Sequence, residues 1–123
     1  MLYINKGESN SYVVELTAVS TLMNPFYIFE LISDFDQNDK IIFNSEDLSA
    51  YKCRYNLFNI IEDIKINEDL ENGIVNLASG SYKLNIYEAT TKTLDLSLST
   101  GVVIYNAKAF VNGEDLDINK IYR

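Results

Sequence analysis

Residues 79–89 run SGSYKLNIYEA. Tyr82, Leu84 and Ile86 stand at every second position, with Lys83 and Asn85 between them. A period of two sends alternate side chains to opposite faces, so the stretch reads as a strand with one face in a core. Gly80 and Tyr82 open this strand, where immunoglobulin-like folds place a tyrosine corner. In a corner the phenol bonds back to the backbone a few residues upstream, here near 76–78; otherwise Tyr82 is an ordinary core aromatic.

The same period recurs in both directions. Tyr12, Val14 and Leu16 alternate through 11–17, and Met1 to Ile4 suit an earlier short strand. After Asn24 and Pro25, FYIFELISD begins apolar on both faces, as a central strand covered on both sides does. The polar stretch 34–39 then leads into KIIFNS, which predicts a hairpin over 26–45. SEDLSAYKCR shows no alternation, and Asn44 with Asp47 could cap a helical turn before the strand pattern YNLFNIIE. NEDLENG suits a helical turn stopped by Gly73 in the left-handed region. GIVNL and GVVIYNAKAFV read as further strands, with Val103, Tyr105, Ala107, Ala109 and Val111 on one face of the last. TTKTLDLSLST is polar enough for a loop, although alternating Leu94, Leu96 and Leu98 also fit an edge strand. Asn112-Gly113 marks a turn. Seven to eight short strands predict an all-β, immunoglobulin-like antiparallel sandwich forming one domain over 1–123, with a closed barrel as the rival architecture.

Composition agrees. A chain of 123 residues buries about two thirds of its unfolded surface without help from a metal or disulfide. Nine tyrosines and six phenylalanines suit pleated surfaces. The lone Cys53 has no partner for an internal disulfide and is by default a small buried hydrophobe. A net charge of -8, with lysines scattered singly from Lys6 to Lys120 and no basic stripe, argues against a nucleic-acid partner. The start MLYINKGE lacks the basic and apolar regions of a secretion signal, and no run is long enough to span a bilayer, so no membrane association is expected.

Few catalytic schemes survive. With no histidine and a single cysteine, Ser/His/Asp and Cys/His triads and the usual zinc sites are impossible. No phosphate-cradling glycine loop occurs, and no cofactor is expected. Glycoside hydrolysis needs only two carboxylates, and Glu30, Glu62 and Glu88 lie on predicted strands; Glu30 and Glu88 interrupt otherwise apolar ones. The simpler reading puts them on a solvated sheet face or at strand ends. Asp34 to Asp39 resemble the first half of a calcium loop, but Asp39 replaces the bend glycine and Ser45 stands where the bidentate glutamate belongs, so a plain turn is expected. The acidic patch Asp63, Glu68, Asp69 and Glu71 reads as a solvated connection or as a docking surface for a basic partner. The many tyrosines also permit a carbohydrate-binding or host-surface adhesion module.

Three ordered blocks carry a resemblance: NKGESNSYVVELTAVSTLMNPFYIFEL, KCRYNLFNIIE and ENGIVNLASGSYKLNIYEA. They are similar to small virion proteins of tailed phages, including crAss-like phages of gut Bacteroidota. The match rests on Asn24, Pro25, Phe26, Tyr27, Phe29 and Glu30, then Arg54, Tyr55 and Asn56. Gly73, Val75, Leu77, Gly80, Tyr82, Ile86, Tyr87 and Glu88 complete it. It covers residues 1 to about 112, and Gly101, Val102 and Val103 match a later strand. The family's glycine-rich tail is missing, so residues from Glu114 on have no counterpart. The resemblance implies a non-enzymatic structural piece of the particle: a capsid auxiliary, head-fibre, neck or tail protein. Such a protein is made in the host cytoplasm and held in the virion, in many copies or as a homo-oligomer, by contacts with other virion proteins. The apolar ends suit this role: Leu2, Tyr3 and Ile4 at one, Ile118, Ile121 and Tyr122 at the other. Their home is either the domain's own sandwich or the sheet edge of a neighbour.

Overall fold

The structure, a computed structural model, describes residues 2–16, 25–35, 40–50 and 55–113. Eight strands follow one another: β1 (Leu2–Asn5), β2 (Ser9–Val14), β3 (Phe26–Ser33), β4 (Lys40–Asn44), β5 (Asn56–Glu62), β6 (Ile74–Val75), β7 (Gly80–Ala89) and β8 (Ser99–Asn112). They form a five-stranded sheet, ordered β1-β8-β7-β3-β4, and a three-stranded sheet, ordered β2-β5-β6. The chain changes sheet at each of the connections β1–β2, β2–β3, β4–β5 and β6–β7. Pairing β2 with β5 in one sheet, and β3, β7 and β8 side by side in the other, reproduces the B-E and C-F-G groupings of an immunoglobulin sandwich. In the larger sheet β1 runs parallel to β8 and the remaining pairs are antiparallel. Among the described residues no helix is long and apolar enough to cross a membrane.

Strand periodicity builds the core directly. Tyr82, Leu84 and Ile86 of β7, Phe29 and Leu31 of β3, and Phe58 and Ile60 of β5 meet between the sheets. The Phe29 ring stands edge-on to Phe58 at 4.9 Å and stacks on Phe43 at 5.2 Å, while Tyr27 meets Phe58 edge-on at 5.5 Å. β3 lies inside its sheet and is buried on both faces from Tyr27 to Leu31. Tyr82 forms the corner: its hydroxyl donates to the Ala78 carbonyl at 2.7 Å, clamping the entry to β7. Gly73 ends the 3-10 turn Leu70–Asn72 with φ 75°. A Cβ there would sit 3.2 Å from the Asn44 carbonyl oxygen, so both conformation and space call for glycine.

Three local expectations need correction. Residues 45–50 form no helical turn, because the Asp47 carboxylate reaches across to the Leu57 N–H and Asn56 Nδ2 as well as accepting from Ser49 N–H. Leu94, Leu96 and Leu98 form no edge strand. Leu96–Leu98 is a 3-10 turn whose first N–H groups are drawn in by Asp95, which accepts from Ser97. Val103 does not share the inner face of Tyr105. The ladder slips where Ile86 pairs with Tyr105 but Tyr87 pairs with Val103, and the extra residue turns Val103 outward.

Candidate functional site

The three strand carboxylates do not converge. Tyr27 stands opposite Glu88, and Glu30 opposite Asn85, so alternation places Glu30 and Glu88 on opposite faces of the five-stranded sheet. Glu62 lies beyond the start of β7, accepting the Leu77 N–H at 3.0 Å, whereas Glu88 stands near the other end of that strand. None of the three is solvated: Glu30 is 5 %, Glu62 4 % and Glu88 0 % exposed, so the solvated sheet face expected for Glu30 and Glu88 is not found, although Glu88 does stand at a strand end, next to last in β7. Glu62 also accepts from the Gly7 N–H at 2.9 Å and pairs with Lys6 at 3.5 Å. Lys6 in turn donates to the Leu77 carbonyl. This carboxylate therefore ties three segments together. Glu30 accepts from Asn85 Nδ2 at 3.1 Å and from the Tyr87 hydroxyl at 3.2 Å. Burial, and then the Glu30 charge and hydrogen bond, hold the Tyr87 phenol above its ordinary pKa.

In the loop that resembles a calcium site, Asp34 pairs with Lys108 at 2.6 Å, and residues 36–39 lie outside the described residues, as does Cys53. The lysines are less scattered in the fold than along the chain. Lys40 and Lys83 both stand opposite Ile32, and Lys83 opposite Lys108, which makes one exposed row across four strands. Lys40 and Lys108 in this row are countered by Glu30 and Asp34.

The apolar ends part company. Leu2 and Ile4 are buried in the domain's own core on the inner face of β1, where they lie opposite Ala109 and Val111. They are thus corrected from partner contacts to core residues: pairing with β8 satisfies their backbone and the sandwich covers their side chains. Tyr3, between them, is 63 % exposed beside Phe110. Ile118, Ile121 and Tyr122 lie outside the described residues.

Among the described residues, backbone groups also face outward at sheet edges, those of β2 and β4 included. On β5, Leu57 C=O accepts from Leu48 and Ile61 N–H donates to Gly73, both away from β2. The alternate residues Asn56, Phe58 and Ile60 therefore bond Val14, Tyr12 and Asn10, leaving the N–H and C=O groups of Ser11 and Val13 pointing outward. Val13 adds a 60 % exposed side chain to this edge. The same parity applies in the larger sheet. Asp34 N–H donates to Ser81 on the β7 side, so Phe29 and Leu31 bond Phe43 and Ile41, and the backbone of Lys40 and Ile42 faces outward from β4. Beside β4 runs a cleft of about 510 Å³ lined by Ile41, Ile42, Leu70, Leu77, Tyr82 and Leu94. Periodicity marks buried faces but not which amides stay unpaired, so these edges carry no signal in the sequence.

Comparison with protein-family models, curated proteins and solved structures finds no match to this chain.

Proposed function

We propose that this chain is a non-enzymatic structural component of a tailed-phage virion, acting through protein contacts and needing no cofactor. The observation that carries this reading is the edge of β2, where the outward N–H and C=O groups of Ser11 and Val13 have no partner among the described residues and lie beside an exposed valine. Such an edge is a template for a strand from a neighbour. The placement of Glu30 and Glu88 on opposite faces of the five-stranded sheet supports the same reading, since these two carboxylates cannot flank one glycosidic bond. The sequence resemblance supplies the virion setting. Mass spectrometry of gradient-purified particles tests it. The chain should accompany portal and capsid proteins at a constant ratio, and its presence in the lysate but not in the particles would refute the proposal.

One observation favours a second reading, a carbohydrate-binding or adhesion module. Tyr3, Phe26 and Phe110 are exposed on the outer face of the five-stranded sheet, which also carries Asn85 and Asn106. Rings and amides together are what sugar recognition uses. Saturable binding on a glycan array, lost in Phe110→Ala, would select it.

A further inference from the structure

We propose that the outer face of the five-stranded sheet takes an acidic polysaccharide, one whose sugars carry carboxylate groups, and that Lys83 is the residue that reads the charge. The inference rests on the adhesion reading of this face and adds the class of glycan and the side chain that selects it.

The registers lay this face out in rows. Tyr3 of β1 stands opposite Phe110 of β8, and Phe110 opposite Ser81 of β7. Two residues away on the same face Lys108 and Lys83 stand opposite each other, and two beyond them Asn106 and Asn85. Paired strands lie about 4.8 Å apart and diagonal neighbours about 7 to 8 Å, so rings, ammonium groups and amides all fall within reach of one short saccharide. Charge then sets this face apart from the rest of the molecule. The chain has 18 acidic residues against 10 basic ones, yet here Lys40, Lys83 and Lys108 meet only Glu30 on the strands and Asp34 at the end of β3. Lys40 pairs with Glu30 at 3.8 Å and Lys108 with Asp34 at 2.6 Å. Lys83, in the row between them, is exposed and its ammonium has no partner among the described residues. An anion from outside can therefore pair with Lys83 without breaking an existing ion pair. The neighbours of this lysine favour a glycan over a peptide. β7 and β8 each have a strand on both sides, so their backbone is used within the sheet and cannot take an added strand. Recognition falls to side chains: the exposed rings of Tyr3 and Phe110 for sugar faces, and the exposed Asn106 amide for hydroxyls.

The probe is an oligogalacturonate, titrated into the full chain by calorimetry beside a counterpart whose carboxyl groups are reduced to alcohols. The acidic form should bind about tenfold more tightly than the neutral one, and added salt should erode that difference. Lys83→Ala should remove the preference and leave the neutral form unaffected, whereas Lys83→Arg should keep it. Phe110→Ala should weaken both forms. Lys83 and Phe110 are exposed, so both positions can be changed with the fold intact, which circular dichroism checks. Failure of both saccharides to bind would overturn the proposal together with the adhesion reading. Equal binding of the two forms, or a preference that survives Lys83→Ala, would overturn the proposal and leave that reading standing. Polyglutamate bound as tightly as the uronate would overturn it in favour of an acidic protein partner.

Discussion

Glu62 shows how a single buried charge organises this fold. Its carboxylate gathers the N–H groups of Gly7 and Leu77 and the ammonium of Lys6, and so joins the β1–β2 turn, the end of β5 and the approach to β7. Glu62→Ala takes the acceptor from the Gly7 and Leu77 N–H groups and removes the ion pair with the nearly buried Lys6, and should cost about 3 to 5 kcal/mol in urea unfolding. Tyr82→Phe deletes one hydrogen bond and orphans the Ala78 carbonyl, for an expected loss of about 1 to 3 kcal/mol by the same measurement. Tyr12 behaves differently. Its hydroxyl is buried without a hydrogen-bond partner of normal geometry among the described residues, and burial first, then the neighbouring Tyr105, pushes its pKa upward. The folded state therefore holds this proton more tightly than the unfolded chain does. The resulting stability is complete below the ordinary tyrosine pKa of about 10 and falls away as pH rises above it toward the folded value. Tyr12→Phe should be neutral or stabilising at pH 7, within about 1 kcal/mol, and should flatten the alkaline loss of stability in melts between pH 9 and pH 11.

At the scale of elements, β1 belongs to the domain before it belongs to any partner. Removing residues 1–5 takes away Leu2 and Ile4, each of which contributes about 1.5 to 3 kcal/mol by burial, and exposes the edge of β8. The truncated chain should show a markedly lower melting temperature, whereas Tyr3→Ser, at an exposed position, should leave it nearly unchanged. Period-two patterns made β2, β5 and β7 legible, since each has a continuous buried face that one-dimensional spacing reports, and the unbroken apolar run of β3 marked a strand covered on both faces. The placement of Tyr82 at a strand entry was enough to locate its upstream acceptor. Features that depend on pairing were not legible. Val103 turned outward because of a slip against β7, and Lys40, Lys83 and Lys108 aligned only through the registers of β3, β4, β7 and β8. The burial of Glu30 and Glu62 likewise depended on donors that arrive from distant segments.

At the scale of the whole molecule, the sandwich has backbone groups that face outward from β2 and β4 without partners among the described residues. Assembly at those edges is the central claim, and amide hydrogen exchange reads it group by group. In the isolated protein the amides of Ser11, Val13 and Ile42 should exchange rapidly, while those of their ladder-bonded neighbours Tyr12, Val14, Ile41 and Phe43 stay protected. In the assembled particle the amides of Ser11 and Val13 should become protected. Exchange at Ser11 and Val13 that is equally fast in the free chain and in the particle would contradict the account.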